Sequence, residues 1–219
     1  MSLFSDAAVP ASPLLAQFQE VAVEWILDLL ALRGGALLAD EVGLGKSWVA
    51  AAVARVWEDR GGSSEIVVPA PLLAQWRQIA EEFGLASAVI SHDSLAARAA
   101  PAGPRERLLI VDEAHRLRNP RTARYRAMAL RARDAAVLLV TATPICNTPD
   151  DLRALLGLFL ADDALADRGV PSLDEAFRLR SEAQLREVVG ELAVRRDGGV
   201  LPEALRFTRA SRIEVPYRP

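Results

Sequence analysis

Five short segments that are almost entirely apolar, each followed by an amphipathic stretch, constrain the fold of this 219-residue chain more than any other feature. A segment that is apolar at every position predicts a strand buried on both faces. Alternation of such strands with helices predicts parallel βαβ units, because parallel strands need a crossover connection. We therefore predict an α/β fold, a doubly wound parallel sheet with helices on both faces, over residues 34–160. The predicted strands cover 36–39, 65–68, 88–90, 108–111 and 136–140.

Helical periodicity and end signals locate the helices between these strands. The stretch over 14–32 has an apolar face and is followed by two glycines. The stretch over 71–83 begins with proline, which suits the first turn of a helix, and is followed by glycine. The other helices of this region are predicted over 45–59, 121–133 and about 149–160.

The chain is expected to have three parts. Residues 1–33 form an N-terminal helix, residues 34–160 form the core, and residues 161–219 form a helical appendage and linker. The strand signal stops after residue 160. A capping box that begins at Ser172 opens one helix there, and a second helix is predicted over 182–191.

Composition excludes several classes of protein. A quarter of the residues are charged and half are apolar, which is typical of a globular protein and not of a disordered or fibrous one. The single cysteine, Cys146, cannot form an internal disulfide, which fits a reducing compartment and a cytoplasmic location. No apolar run approaches the roughly 18 residues of a membrane span, so no membrane partner is expected.

One lysine stands among the 26 basic residues, and it lies in a glycine-rich turn between a predicted strand and helix. Such a turn presents backbone N–H groups and a helix N-terminus to a phosphate. Gly43 and Gly45 would let the backbone approach the phosphates, and Lys46 would reach the β- and γ-phosphates. Ser47 would supply a hydroxyl to Mg²⁺. The strict pattern G-x-x-x-x-G-K-[ST] fails at its first position, which is Asp40.

Two carboxylates follow the predicted strand over 108–111, as a nucleotide-hydrolysing site requires. Asp112 ends the strand and would hold the metal together with Ser47. Glu113 would orient and deprotonate the attacking water. His115 is close enough along the chain to bind a second segment of the site. Lys46, Asp112 and Glu113 are therefore the predicted catalytic residues.

The segments 40–47 and 112–115 resemble motifs I and II of superfamily-two helicases, specifically of the Swi/Snf branch, which includes bacterial RNA-polymerase-associated translocases. That branch usually has aspartate at the position of Asp40. Further segments resemble the family in order along residues 14–219. They are Phe18-Gln19 with Trp25, 67–76 (motif Ia), 90–95 (motif Ib), 141–147 (motif III), and the passage towards a second lobe at 194–196 and 200–202.

The resemblance implies a RecA-like lobe that binds ATP and Mg²⁺, and it assigns roles residue by residue. Gln19 would read the adenine edge. The other predicted ATP-binding residues are Asp40, Val42, Gly43, Leu44, Gly45, Lys46, Ser47 and Trp48. Residues expected to couple the nucleotide site to the other lobe are His115, Thr141, Ala142 and Thr143. Residues expected on the nucleic-acid track are Pro69, Ala70, Pro71, Ser91 and His92.

The resemblance implies a motor that closes ATP between two RecA-like lobes, of which this chain has the first. We therefore expect residues 1–219 alone to bind ATP–Mg²⁺ weakly and to turn it over poorly. The expected partners are the second lobe and nucleic acid, with double-stranded DNA favoured. A strand-separating DEAH-type helicase of RNA or DNA, or a non-hydrolysing ATP-dependent scaffold, remains an alternative.

Two features remain open in the sequence. Trp76 either packs against the sheet or stacks on a base, and packing is the more common role. Residues 105–133 carry nine arginines against three carboxylates, a basic block in a chain of net charge −3. The part of this block over 116–133 could contact nucleic acid, contact the second lobe, or simply be solvated.

Overall fold

One parallel sheet of six strands forms the centre of the computed structural model, which describes residues 14–97, 106–142 and 148–196. The strands are β1 Gly35–Leu38, β2 Ser63–Val68, β3 Ala88–Ser91, β4 Arg107–Asp112, β5 Ala135–Val140 and β6 Ala193–Val194. Their order across the sheet is β3-β2-β4-β5-β1-β6, and every described pairing is parallel. The five predicted strands and the doubly wound α/β class are confirmed.

Seven α-helices are present in the described ranges, close to the predicted positions. They are α1 Gln17–Arg33, α2 Lys46–Asp59, α3 Leu73–Glu82, α4 Ala123–Ala132, α5 Pro149–Leu156, α6 Leu173–Leu179 and α7 Glu182–Leu192. None of these helices combines the length and the apolar character needed to cross a bilayer. Short 3₁₀ turns occupy Ala70–Leu72, His92–Ala97, Ala114–Leu117 and Ala166–Arg168.

Local chemistry explains where these helices begin and end. Helix α1 ends at Gly34, whose φ of 71° is left-handed, a conformation that glycine adopts without steric cost. Helix α4 begins after Thr122 because the hydroxyl of Thr122 accepts a hydrogen bond from the Tyr125 amide at 3.2 Å. Ser172 caps α6 in the same way, accepting from the Glu175 amide at 3.0 Å, as the predicted capping box requires.

Helices cover both faces of the sheet, so neighbouring residues of one strand enter different cores. On β1, Leu38 packs with α1, α2 and α3, whereas Leu37 packs with α4, α5, α6 and α7. The same alternation holds on β4, where Ile110 joins the first cluster and Leu109 the second. This two-sided burial is why the central positions of the strands are apolar on both faces.

The prediction that strand structure ends at residue 160 is wrong. Strand β6 pairs with β1, with Leu37 opposite Ala193 and Leu38 opposite Val194. Two residues are too short to show a strand pattern, so the sequence did not reveal them. Both predicted helices of this region exist, and Phe177 and Leu192 pack in the same core as β1 and β5. Up to residue 196, the chain after 160 therefore extends the sheet and its core.

The arginine block does not form a uniform solvated face. Arg131 is only 2% exposed, and its Nη1 lies 3.0 Å from both carboxylate oxygens of Glu65 on β2. Arg124, by contrast, pairs with the exposed carboxylate of Asp93 at 2.7 Å. Arg131 is therefore buried against the sheet, where it pairs with Glu65, and its guanidinium is not exposed to contact nucleic acid.

We expect Gly35→Ala to lower the free energy of unfolding by about 1–3 kcal/mol, because overpacking forces neighbours to move. A Cβ atom at Gly35 would lie 2.2 Å from the Phe159 ring. The control is Gly190→Ala in α7, where nothing lies within 4 Å. That change should stabilise the helix by up to about 1 kcal/mol. Urea unfolding of both variants checks this, and equal effects would contradict the close packing at Gly35.

Candidate functional site

The glycine-rich loop follows β1 at the carboxyl edge of the sheet, and α2 begins at Lys46. Gly43 and Gly45 have φ values of 92° and 74°, positive values that strongly favour glycine. A Cβ atom at Gly45 would also lie 2.4 Å from the side-chain nitrogen of Gln19. The loop thus has the strand, the turn and the helix start that an anion-binding loop requires.

Gln19, on α1, forms a hydrogen bond with this loop. Its Nε2 donates to the Leu44 carbonyl at 3.0 Å, and its Oε1 accepts from the Ala16 amide at 2.9 Å. Both ends of the amide group are therefore engaged inside the protein. The side chain lies against the loop, as a residue near a bound nucleotide must, while its adenine contact stays a prediction.

Lys46 turns back onto its own loop. Its Nζ donates to the Asp40 carbonyl at 2.9 Å and to the Glu41 carbonyl at 3.0 Å. Burial lowers the pKa of Lys46, and the negative charges of Asp40, Glu113 and Asp112 act against that shift. The ammonium thus lies in the field of three carboxylates, held by two carbonyl oxygens that phosphate oxygens could replace.

Asp112 ends β4 with its carboxylate buried and held on both oxygens. Oδ2 accepts from Trp76 Nε1 at 2.7 Å, and Oδ1 accepts from the Glu113 amide at 2.9 Å. Burial raises the pKa of Asp112, whereas these two hydrogen bonds lower it. Trp76 is fully buried, which agrees with packing and leaves no face for a base. The sequence did not predict the hydrogen bond from Trp76 to Asp112, although a buried indole N–H needs some acceptor.

Glu113 has an unusual backbone, with a φ of 49° in the left-handed region. Such a conformation in a residue with a side chain costs on the order of 1 kcal/mol or more and is common at active sites. It carries the Glu113 carboxylate to His115, whose Nδ1 lies 3.0 Å from Glu113 Oε2 and 3.3 Å from Thr141 Oγ1. His115 therefore does reach a second segment, the end of β5.

Thr141 connects the two halves of the site. It is buried, and its amide donates to the Leu38 carbonyl at the end of β1 at 3.0 Å. Its hydroxyl faces His115, so it contacts segments that follow both β1 and β4. Ala142 follows it, half-buried. Thr143 and the rest of the motif III segment through residue 147, like residues 200–202, lie outside the described residues.

The carboxylate of Asp40 is fully buried beside the loop and pairs with Arg196. Its Oδ1 accepts from the Arg196 amide at 2.8 Å and from Arg196 Nε at 3.1 Å. Sequence reasoning missed this pair because 156 positions separate the residues. The available signal was a charged residue at the first loop position, since a buried charge needs a partner.

The residues predicted to contact nucleic acid differ in their exposure. Ala70 and Pro71 are exposed, Pro69 is buried, and Ser91 is half-buried with its hydroxyl accepting from the Ser94 amide at 3.2 Å. The contact predicted for His92 stays a prediction, and the His92 side chain is 1% exposed in this structure. Its Nε2 lies 2.8 Å from the Asp112 carbonyl oxygen, and burial lowers the pKa of His92 to about 4.

Two predicted ATP-binding residues differ in the surroundings of their side chains. The Trp48 ring on α2 packs edge-on against Phe83, the residue after α3, at a centroid distance of 5.5 Å. Val42, in the loop, is 81% exposed. Their contacts with a nucleotide stay predictions.

The donor set at this edge fits a magnesium–phosphate ligand better than an all-protein metal cage. Among the described residues, no cluster of three or more His, Cys, Asp or Glu side chains could hold a metal ion. Mg²⁺ characteristically uses one or two carboxylates together with phosphate oxygens and water. Asp112 supplies such a carboxylate, and Ser47 lies in the first turn of α2, directly after Lys46.

We expect Trp76→Phe to reduce the free energy of unfolding by about 1–3 kcal/mol, because it removes a hydrogen bond to a buried charge. The matched control is Trp57→Phe, which loses a bond of 3.2 Å to the neutral Glu106 carbonyl. Loss of the Trp76 bond should raise the pKa of Asp112 further. The Trp76 effect should therefore be largest where Asp112 is ionised and shrink as pH falls through its pKa. Urea unfolding against pH measures this, and identical pH profiles for both variants would disprove it.

Known proteins resemble this chain in sequence and in fold. Residues 89–194 match the SNF2-related domain. The uncharacterized ATP-dependent helicase YqhH of Bacillus subtilis is 33% identical over 147 residues, which cover 58% of this chain and 26% of that protein. The ISWI chromatin-remodeling complex ATPase CHR17 of Arabidopsis thaliana is 27% identical over 209 residues, covering 81% of this chain and 19% of that protein. The chain thus spans about a quarter or less of these relatives.

A solved structure agrees with the fold. The Sulfolobus solfataricus SWI2/SNF2 ATPase core, determined in complex with double-stranded DNA, superimposes with a TM-score of 0.66. The match covers 90% of this chain and 47% of that one, at 19% identity. This likeness supports the RecA-like α/β architecture. Residues 89–194 thus resemble the SNF2-related domain on a RecA-like fold, and the chain is similar to ATP-dependent helicases and chromatin-remodeling ATPases.

Proposed function

We propose that this chain is the ATP-binding first motor lobe of a nucleic-acid-dependent ATPase, a double-stranded DNA translocase of the Swi/Snf type. The observation that carries the proposal is that Lys46 begins α2 directly after the glycine-rich loop, while Asp112 and Glu113 stand at the end of β4. They follow β1 and β4 at the carboxyl edge of the sheet, where open α/β proteins bind their ligands.

The loop and Lys46 would hold the phosphates of ATP. Gly43 and Gly45 allow the left-handed turns that expose backbone N–H groups at the start of α2. Lys46 would exchange the Asp40 and Glu41 carbonyls for phosphate oxygens, which carry more negative charge and therefore bind an ammonium more strongly. Gln19, already against Leu44, would border the base.

Ser47 and Asp112 would hold the magnesium ion that accompanies ATP. Trp76 and the Glu113 amide fix the Asp112 carboxylate before any ligand arrives, so little reorganisation is needed on binding. When bound, magnesium offsets the negative charge that develops on the transferred phosphoryl group. The rise in the pKa of Asp112 caused by burial is then opposed by a nearby cation.

Glu113 would orient the attacking water and accept its proton. Its left-handed backbone carries the carboxylate to His115. His115 also contacts Thr141 at the end of β5. A movement of the Glu113 carboxylate would therefore reach Thr141 through a single side chain, that of His115. We propose that His115, Thr141, Ala142 and Thr143 couple hydrolysis to the second lobe.

Nucleic acid would run over the surface formed by Ala70, Pro71 and Ser91. The Sulfolobus core was solved with double-stranded DNA, and two Arabidopsis relatives are chromatin-remodeling ATPases. These names favour duplex DNA over RNA. The single cysteine of the sequence favours a reducing, cytoplasmic setting.

The proposal is tested by the ATPase rate of a two-lobed parent protein with duplex DNA, single-stranded DNA or RNA. We expect duplex DNA to stimulate most. Preferential stimulation by RNA or single strands would favour the strand-separating helicase instead. Glu113→Gln should lower the stimulated rate by about 10²–10⁴-fold, as expected for a lost general base, while ATP affinity stays within about twofold. Unchanged turnover in this variant would remove Glu113 as the base.

Lys46→Arg should abolish the ATPase of the two-lobed parent, because a bulkier planar guanidinium cannot replace a compact ammonium in this loop. The matched control is Arg55→Lys on the same helix. Arg55 pairs with Asp59 across an exposed turn of α2, so that exchange should leave the rate unchanged. The measurement is steady-state ATP hydrolysis with duplex DNA present. Normal turnover by Lys46→Arg would show that the ammonium is not required.

A further inference from the structure

The first position of the phosphate loop carries a side chain where the strict pattern has glycine. Among the described residues other than glycine, only Glu113 and Arg180 have a positive φ. Asp40 therefore has an ordinary backbone, and no conformational reason demands glycine there. Its carboxylate is instead fully buried. A buried carboxylate is unfavourable unless it is paired and hydrogen-bonded, so its partner must be important.

That partner is Arg196, which engages the Asp40 carboxylate through backbone and side chain. The Arg196 amide donates to Oδ1 at 2.8 Å. Nε lies 3.1 Å from both Oδ1 and Oδ2, and Nη2 also donates to Oδ2. The Arg196 side chain is itself only 16% exposed. This ion pair is thus largely shielded from solvent and from screening by salt.

Backbone hydrogen bonds place the same segment along the entry to the loop. The Ala39 amide donates to the Val194 carbonyl at 2.8 Å, and the Glu41 amide donates to the Arg196 carbonyl at 3.0 Å. The pairing of β1 with β6 therefore continues past the end of both strands. It fixes the Asp40–Glu41 backbone, whose two carbonyls are the acceptors of Lys46 Nζ.

Arg196 also reaches α1. Its Nη1 donates to the Phe18 carbonyl, and its guanidinium carbon lies 5.1 Å from the centre of the Phe18 ring. A cation at this distance over an aromatic face is attracted by it. The next residue, Gln19, donates to the Leu44 carbonyl of the loop. One arginine thus contacts both segments that border the nucleotide site.

We propose that Arg196 is a positioning residue for nucleotide binding. Through Asp40 it holds the first half of the phosphate loop. Through Phe18 it holds the first turn of α1, which includes Gln19. Nucleotide affinity then depends on where residues 193–196 lie, which makes this segment a mechanical link between the phosphate loop and the chain that follows. This inference rests on the proposed function, because it needs a nucleotide at Lys46.

The first test measures binding of a fluorescent ADP analogue with Mg²⁺ to the 219-residue chain. Arg196→Ala should weaken binding by roughly ten- to a hundredfold, the range expected when residues of one hydrogen-bonded network are separated. The matched control is Arg195→Ala, an exposed neighbouring arginine, which should bind like the wild type. Arg196→Lys keeps the charge but not the planar fork, so it should recover only part of the lost affinity.

A double-mutant cycle separates positioning through Asp40 from a general loss of folding. Asp40→Gly restores the strict loop pattern and removes the partner of Arg196. In that background, Arg196→Ala should weaken binding several-fold less than in the wild type. Equal losses in both backgrounds would overturn the link through Asp40. If Arg196→Ala does not fold, as thermal unfolding would show, Arg196→Lys and Asp40→Asn complete the same cycle.

The outcomes also distinguish this inference from the proposed function. If the wild type and Lys46→Ala bind the analogue equally, the site is not a nucleotide site and the proposed function fails. If binding depends on Lys46 but Arg196→Ala and Arg195→Ala both bind like the wild type, only the role of Arg196 is refuted. Loss of affinity in Arg196→Ala alone supports both.

Discussion

Two buried carboxylates, Asp40 and Asp112, determine how distant parts of this chain meet at the functional edge of the sheet. Each follows or ends a central parallel strand, and each is removed from water. Their oxygens must therefore find N–H donors within the protein. Asp112 finds Trp76, 36 positions away, and Asp40 finds Arg196, 156 positions away. Helix α3 and the segment after β6 are thus held against the edge by the same physical requirement.

The strand order explains why the segments at the ends of β1 and β4 both contact Thr141. Strand β5 lies between β4 and β1, and Asp112 is in register with Val140. The residue after Val140 is Thr141, so it emerges between the phosphate loop and the Asp112–Glu113 carboxylates. A hydroxyl at that position meets His115 on one side, while its amide binds the end of β1 on the other. Coupling between these segments needs no long pathway.

What the sequence reveals depends on the range of each interaction. Five strands, seven helices and the loop at Lys46 were predictable because their signals are local. The two-residue β6 gave no periodic signal and was missed. The bonds from Trp76 to Asp112 and from Arg196 to Asp40 join residues far apart in the chain, and only the fold brings them together. The burial of His92 was not predictable because a polar residue after a strand usually lies at the surface, whereas here its Nε2 meets the Asp112 carbonyl oxygen.

The left-handed backbone of Glu113 affects how this residue should be treated in protein engineering. A glycine there would relieve backbone strain and stabilise the folded chain by a fraction of a kcal/mol to about 1 kcal/mol, yet it would remove the carboxylate. Stability and activity therefore pull in opposite directions at this residue, a trade-off common at active sites. Consensus or thermostability engineering that scores only the folded state would choose the wrong residue here. The strained backbone at Glu113 thus coincides with the carboxylate proposed as the general base.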